Sequence, residues 1–503
     1  MKITRLLPLI FLSLLLGRVA QAQSPTQLIR GAVVDVQSEI PLPGVAVELT
    51  SVDPVQGAIT DGEGRFALDG VVPGRHQLRL SFLGYETITI PNVVVTAGKE
   101  VQLQLSLEEA AFEMDEVVVR AAADKDRTNN DLATISARSF NPEEVTRYSG
   151  GRNDVARLAG NFAGVAVADD SRNDLVIRGN SPTGVLWRLE GIPIPNPNHF
   201  ATLGTTGGPV SALNPNLLRS SDFLTSAFPA EYGNALAGAF DLGFRSGNRD
   251  RFEYTFQLAA FSGLEAMVEG PLSKEGDGSF IAAYRHSFVE LADQVGIPIG
   301  TNATPNYRDL TFKVDFGNGK AGKFSLFGIG GTSSIDFLGD EIDETDLFAN
   351  PNEDAYSRSR LGVLGMRHNI IVGDGAYVRT VVSASSAQTR FDQYNYLTDS
   401  EERTHVTDVD DLTTTYAVSS FYNKKYNARF TMRTGILAQH MRLRTDVRDR
   451  DNLPDLDGDG APDWIQVRDF NGGMTLLEAF AQTQYKLGSA WTLNAGLHGQ
   501  YLD

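Results

Sequence analysis

Phe252-Glu253-Tyr254-Thr255-Phe256-Gln257-Leu258-Ala259-Ala260 alternates greasy and polar side chains. A period of two suits a strand with one face in an apolar medium and the other in a polar one. The pattern returns in Trp491, Leu493, Ala495, Leu497 and Tyr501, set against Thr492, Asn494, His498 and Gln500. It also reads through Tyr426, Ala428, Phe430, Met432, Ile436 and Ala438 against Asn427, Arg429, Thr431 and Arg433, which places two arginines on the polar side of one strand. From Arg251 onward the text accommodates roughly 11 such strands, at about 23 residues each with their connections.

The other end of the chain decides between a soluble sandwich and a membrane barrel. Lys2 and Arg5 precede an apolar run from Leu6 to Leu16, and Ala20-Gln21-Ala22 supplies a small-x-small cleavage pattern. Residues 1–22 therefore read as a signal peptide, since the run is too short to span a ~30 Å hydrocarbon core as an anchor. Removing Lys2, Arg5 and Arg18 takes the formal charge from −19 to −22. No other stretch approaches the ~18 apolar residues of a helical span, so only a barrel would place this exported chain in a membrane. Alternating strands of ten or more residues after an export signal favour that barrel over a sandwich.

Composition narrows the classes further. The chain has 503 residues, 42% hydrophobic and 9% aromatic, enough for several domains. Its 44 Lys+Arg against 63 Asp+Glu argue against a nucleic-acid partner, which needs a basic field. The absence of cysteine removes disulfides, thiolate metal sites and thiol nucleophiles. The 49 glycines point to many turns.

Residues 23–107 read as short strands punctuated by Pro41-Leu42-Pro43-Gly44, Asp61-Gly62-Glu63-Gly64, Val72-Pro73-Gly74 and Leu83-Gly84-Tyr85. The expected strands are Ile29 to Val36, Val45 to Ser51, Arg65 to Leu68, His76 to Phe82, Glu86 to Ile90 and Glu100 to Leu107. Gly31-Ala32-Val33-Val34-Asp35, Thr60-Asp61-Gly62-Glu63-Gly64-Arg65-Phe66 and Phe82-Leu83-Gly84-Tyr85 resemble the signature of the carboxypeptidase regulatory-like domain. The resemblance implies a transthyretin-like β-sandwich and carries no implication of proteolysis.

Residues 108–130 change texture. Glu113-Met114-Asp115-Glu116-Val117-Val118-Val119-Arg120 is acidic and β-branched, and the polar stretch Ala121 to Asn130 follows it. An exposed β-branched segment offers unpaired backbone groups to a partner strand. The alternatives are a last sandwich strand or a plain linker.

Residues 131–247 mix helix and strand. Asn141-Pro142-Glu143-Glu144 has a cap residue, a proline at the first helical position and acids in the first turn, and a second helical turn spans Asn153 to Leu158 before Gly160. Ile177-Arg178-Gly179, Glu190-Gly191-Ile192-Pro193 and Pro229-Ala230-Glu231-Tyr232-Gly233 follow in order. Together they resemble the plug domain of TonB-dependent receptors, with Glu190 in place of that family's common Asp. The resemblance makes Asp115, Glu116, Val117, Val118 and Val119 the TonB box, and residues 248–503 the start of an outer-membrane barrel. Plugged transporters close with about 22 strands, so the expected wall is a first half that breaks off within a strand at Asp503. A barrel of about 10 to 12 strands closing on itself is the alternative.

Chemistry-bearing motifs are few. The seven histidines show no H-E-x-x-H or paired metal spacing, and there is no G-x-S-x-G elbow. Gly317 to Lys323 fits a G-x-x-x-x-G-K pattern, but Phe324 stands where a magnesium-binding hydroxyl belongs and the flanks alternate, so it reads as a hairpin turn. Asp455, Asp457, Asp459 and Asp463 alternate around glycines in a loop able to wrap calcium or simply to stay solvated, and Gln466 replaces a bidentate Glu. Asp336 to Asp354 holds eight acids and no Lys or Arg, as an outward loop would, and there a cationic substrate or divalent ions bridging lipopolysaccharide are alternatives to plain solvation.

The fold class is thus mainly β: a sandwich, an α+β plug and the first half of a transmembrane antiparallel barrel. The implied function is TonB-dependent import of a scarce or bulky substrate across the outer membrane of a Gram-negative bacterium, with no catalytic residues and no required cofactor, calcium at the Asp455–Asp463 loop being the one candidate ion. Implied partners are the periplasmic TonB complex, lipopolysaccharide, the imported substrate and a surface lipoprotein. Siderophores, cobalamin, peptides and glycans rank equally. A non-transporting adhesin or structural β-protein is the competing class, distinguished by the absence of a TonB interaction.

Overall fold

A computed structural model describes residues 26–111, 128–133, 135–167, 169–259, 263–274, 276–287, 305–339, 350, 352–396, 403–450, 463–488 and 491–503. The chain divides into two compact units, one holding Pro41–Ala110 with the strand before them, the other holding Asp124–Asp503.

The first unit contains β1 (Gln27–Asp35), β2 (Ala46–Leu49), β3 (Gln56–Ile59), β4 (Arg65–Val71), β5 (Gly74–Ser81), β6 (Ile88–Val95) and β7 (Val101–Leu107). They form sheets ordered β4-β1-β7 and β3-β2-β5-β6, whose inward residues, among them Ile29, Val33, Val47, Phe66, Leu78 and Leu80, make one apolar core. The motifs earn their places through hydrogen bonds. Asp61 Oδ1 accepts from the Glu63 and Arg65 amides and sets the turn into β4. Thr60 Oγ1 donates to the Leu42 carbonyl and accepts from the Val45 amide, while the Tyr85 hydroxyl donates to Asp35. Strand β3 was absent from the sequence expectation because Gln-Gly-Ala-Ile has no period of two.

The second unit begins with the plug. Its elements are β8 (Ala137–Phe140), α1 (Pro142–Arg147), α2 (Val155–Ala159), β9 (Val165–Val167), β10 (Leu175–Ile177), β11 (Val185–Leu189), β12 (Ile192–Pro193), β13 (Asn198–His199), β14 (Val210–Ser211), β15 (Ser221–Leu224) and β16 (Gly238–Leu242). A five-stranded sheet, β12-β11-β16-β15-β8, carries the centre, with β11 and β16 parallel. Asn141 caps α1 in a reciprocal capping box with Glu144, as its sequence required. Helix α2 is capped by Asp154 and starts slightly later than the periodicity placed it, at Val155.

The wall follows as β17 (Glu253–Ala259), β18 (Gly263–Pro271), β19 (Ser279–His286), β20 (Asn306–Gly319), β21 (Gly322–Phe337), β22 (Glu353–Ile371), β23 (Ala376–Tyr396), β24 (Arg403–Asn427), β25 (Phe430–Asp449), β26 (Ile465–Lys486) and β27 (Thr492–Leu502). All 11 pair antiparallel with their chain neighbours, and β17 and β27 are the two edges of the sheet, so these strands do not close on themselves. Beyond the β18–β19 link, connections at one end are short: residues 320–321, 372–375, 428–429 and 487–491. The connections at the opposite end that follow His286, Phe337 and Asp449 are longer, and most of the acidic stretches Asp336–Asp354 and Asp455–Asp463 lies outside the described residues. Gly317–Lys323 forms the hairpin between β20 and β21.

One correction concerns the alternation read through Tyr426–Ala438. It is not one strand: Tyr426 belongs to β24 and Phe430 to β25, with Ala428-Arg429 making the turn. A two-residue turn without Gly or Pro preserves the period of two and hides in it.

The pleat sorts the wall into two faces. Phe280, Val314, Leu326, Met366, Val382, Val418, Ala438, Leu477 and Tyr501 pair in register across nine successive strands, an unbroken outward apolar row. Val382 is 47% exposed on that face, and its neighbour Val381 is 2% exposed against the plug. Lipid outside and plug inside require that division. Among the described residues no helix is long and apolar enough to cross a membrane.

Candidate functional site: the seam between plug and wall

Two sides of the plug meet the wall differently. Toward β18–β23 an apolar contact encloses buried ion pairs: Met267, Ile281, Phe327, Ile329, Val363 and Val381 join the plug core that holds Trp187, Leu189, Phe223 and Phe240. Toward β24–β26 the seam is polar, lined by Asn423, Arg433, Glu478, Gln482 and Gln484.

Glu190 clamps the first side. It and Gly191 adopt φ of 52° and 96°, a left-handed pair that reverses the chain between β11 and β12. The turn aims a carboxylate with no exposed side-chain surface at the wall. Oε1 accepts from the Phe244 amide at 2.8 Å and from Lys313 Nζ at 3.0 Å, and Oε2 accepts from Arg367 Nη1. Lys313 also donates to the Phe244 carbonyl at 2.8 Å. Burial opposes ionisation of Glu190, but Arg367 and Lys313 outweigh it and hold the carboxyl well below the usual range.

Glu231 is the centre of the other side. Its Oε1 accepts from Arg433 Nη1 at 2.7 Å, Asn130 Nδ2 at 2.9 Å and Gln482 Nε2 at 3.1 Å, and Oε2 lies 3.6 Å from Arg188. Burial would raise its pKa, yet Arg433 and Arg188 bring it down to about 2. The adjoining Tyr232 hydroxyl donates to Asp241 at 2.7 Å beneath the Arg188 guanidinium. At Gly233 a Cβ would stand 2.5 Å from Glu478 Oε2, so the motif's glycine lets that wall carboxylate approach without turning aside.

The start of the plug is tied into this node. The Asn129 and Asn130 amides donate to the two oxygens of Asp222, at 2.9 and 2.8 Å. Burial and nearby Asp241 prevail over those hydrogen bonds and push the Asp222 carboxyl up to about 6. Asn130 also accepts from Arg433 Nη1 at 3.1 Å and donates to the Tyr232 hydroxyl at 3.0 Å, and Gln484 donates to the Asp131 carbonyl at 2.9 Å. One asparagine thus touches plug sheet, P-A-E-Y-G segment and wall together.

A third contact lies toward the long-connection end. His199 Nε2 sits 2.9 Å from Asp309, which also accepts two hydrogen bonds from Arg285, and the Phe200 amide donates to Ser333 and Ser359.

Of the residues singled out from the sequence, the plug motifs converge on the seam. Asp115, Glu116, Val117, Val118 and Val119 lie outside the described residues, as do Asp455, Asp457 and Asp459. Asp463 stands just before β26. Sequence reasoning missed Asn130, which read as linker, and the wall partners Lys313, Arg367, Glu478 and Gln482. Arg433 was legible as an inward arginine, whereas Arg429 falls in the turn.

Residues 28–108 match the family described as carboxypeptidase regulatory-like domain, and residues 118–239 match the TonB-dependent receptor plug domain. No curated protein sequence matches the chain. Among solved structures, FpvA of Pseudomonas aeruginosa bound to heterologous pyoverdines aligns with TM-score 0.50 and 14% identity, over 73% of this chain and 51% of that one. The outer membrane transporter YddB from Escherichia coli gives 0.48 and 12%, over 73% and 56%. The siderophore receptor PirA from Acinetobacter baumannii gives 0.47 and 13%, over 73% and 57%. The chain spans about half the length of these structures. The FpvA likeness bears on the fold, a plug seated against an antiparallel wall.

Proposed function

We propose that this chain, which joins a carboxypeptidase regulatory-like domain to a TonB-dependent receptor plug domain, is an energy-coupled receptor importing a scarce or bulky substrate across a Gram-negative outer membrane. The observation that carries the reading is the node at Asn130. The first described residues after the acidic β-branched segment are held at once by plug and wall. A partner that adds a strand to Asp115–Val119 and pulls acts on Asn129 and Asn130 first. Freeing Asn130 removes one of the donors neutralising Glu231, and with it part of what keeps the polar side of the plug seated.

The polar seam supports this division of labour. Ion pairs and amides exchange protein partners for water at little net cost once wetted, whereas apolar contacts do not. The β24–β26 side, which lacks the apolar contacts that enclose the Glu190 ion pairs on β18–β23, is therefore the side that opens, and the β18–β23 side the side that stays. Substrate reaches the plug from the long-connection end, where His199 and Phe200 meet the wall. No bond is made or broken, and no residue is assigned a catalytic role. The plug match leaves the adhesin reading without support.

The test is crosslinking of the full-length Val118→Cys chain to the C-terminal domain of TonB in membranes. A crosslink that strengthens with substrate-containing medium is expected, because coupling between two sites is reciprocal. No crosslink from positions 115 to 119 would remove the box assignment and the transport reading with it.

A further inference from the structure

The pleat that turns Val418, Ala438 and Leu477 outward turns the odd residues of β24 and β25 and the even residues of β26 inward. Arg433 and Glu478, which meet the plug, lie on that inward face. Beyond them, toward the long-connection end, the face changes character. Leu443 pairs in register with Gly472, Met441 with Met474 and Gln439 with Leu476 across β25 and β26. On the adjoining β24, Thr413 stands opposite Leu443 and Thr415 opposite Met441. Strand β23 continues these rows with Ala387, Ser385 and Ser383. Across them no inward position of β23–β26 carries a charge. The charges that bound the rows on these strands are both acids, Asp411 above and Glu478 below.

The apolar members of this strip lie outside the plug core. On β21 and β22 the inward residues of the same rows, among them Ile329, Val363 and Leu361, pack against that core. Leu443, Met441, Met474 and Leu476 join none of the apolar clusters among the described residues, and the first three are half-buried. A barrel interior that faces only water gains nothing from such side chains, because apolar surface in water is unfavourable. Methionine suits contact with a visitor, since its unbranched thioether adapts to apolar surfaces of differing shape. The plug offers one more apolar side chain nearby. Leu236 is 80% exposed and comes two residues after Asn234, whose amide donates to Glu478 at 2.9 Å.

We infer that the inward strip on β24–β26 is a passage for an uncharged, amphipathic substrate, with apolar faces for the leucines and methionines and hydroxyl or amide groups for the threonines and serines beside them. The inference rests on the transport reading and narrows its substrate. The strip lies next above the polar seam, on the side of the plug that opens, so what travels along it arrives where the way through forms. Charge selects the class. An anionic chelate or a phosphorylated substrate would pass between Asp411 and Glu478 with no cation in these rows to receive it. Arg433, below, is already held by Glu231 and Asn130. Hydroxyls both donate and accept, so they pair with neutral hydroxyl or amide groups in either sense. A cation would meet an acid at each end and no counter-charge between.

The chain contains no cysteine, so single cysteines report on the passage. Full-length Met441→Cys and Met474→Cys chains in neutral detergent are treated with methanethiosulfonates bearing a benzyl, a sulfonatoethyl or a trimethylammonioethyl group, and labelling rates are read by intact mass spectrometry. Leu83→Cys, at a position 95% exposed in the sandwich, supplies each reagent's intrinsic rate. After that normalisation the neutral benzyl reagent should modify both passage cysteines on the order of 10-fold faster than the anionic one, and faster than the cationic one as well. Adding Leu443→Ser and Leu476→Ser should erase most of that preference. Leu443→Cys carries the measurement if a methionine variant does not fold. Equal normalised rates for neutral and anionic reagents, a cationic reagent faster than both, or no labelling by any of the three would overturn the inference. TonB crosslinking through Val118→Cys, on a chain without these substitutions, separates such a failure from failure of the transport reading.

Discussion

Replacing Arg433 by Gln removes the cation that holds Glu231 to the wall. The guanidinium makes a 2.7 Å contact to Glu231, a 3.1 Å contact to Asn130, a 3.4 Å contact to Asp131 and a 3.0 Å contact to Asn423, all with its side chain 8% exposed. Removing one partner of a buried pair leaves the other charge uncompensated, at a cost of about 3–5 kcal/mol. Arg188, 3.6 Å away, retains part of the compensation, so the lower end applies. The cost falls on the docked start of the plug and not on the wall, whose strands keep their ladders. Local opening of residues 129–132 should therefore become roughly 100-fold more frequent, at about 1.4 kcal/mol per decade. Hydrogen exchange reads this directly. The Asn129 and Asn130 amides, protected by Asp222, should lose about two decades of protection, while the Trp187 to Leu189 amides of β11 change little. Asn423→Ala, which leaves Arg433 on Glu231 and Asn130, should cost far less at these amides. Unchanged protection at Asn129 and Asn130, or a loss spread evenly over β11, would refute the assignment of Arg433 as the pin.

Two further perturbations probe the same seam. Glu231 titrates near 2 in the folded protein against an ordinary 4.5, a depressed value, so its contribution of about 3 kcal/mol is present above pH 4.5 and is lost as pH falls toward 2; proteolysis near Asn129 should rise across that window and be flattened by Glu231→Gln. Gly233→Ala places a methyl 2.5 Å from Glu478 Oε2 and, because only that carboxylate tip must turn aside, should destabilise the folded chain by no more than about 1 kcal/mol, measured by denaturant unfolding, with the penalty largely relieved in a Gly233→Ala, Glu478→Ala double variant.

Much of this was legible in the residues, for physical reasons. The wall shows in the sequence because each strand meets two media and the pleat writes both into alternate positions. The plug shows because its turns need particular residues, such as the left-handed pair Glu190-Gly191 and the crowded Gly233. What stayed hidden depends on distant contacts. Asn130 looks like linker until Asp222, Glu231 and Arg433, all distant in the sequence, close around it. Glu190 reads as a departure from a motif until Lys313 and Arg367 are placed on either side of its carboxylate. The turn at Ala428-Arg429 left no mark because neither residue disturbs the period.

The unequal seating of the plug has a mechanical consequence. A body held evenly all round resists a pull with every contact in parallel, and the force needed is their sum. On the transport reading proposed above, a pull would arrive at Asn129 and Asn130, which bind the charged flank, while the contacts of β18–β23 are not loaded directly. A pull there loads the contacts one after another, as a fingernail lifts tape from its edge, and the peak force is set by the single strongest node and not by the whole interface. If the chain is energy-coupled as proposed, a plug firmly seated at rest would by this arrangement still be within reach of a modest motor.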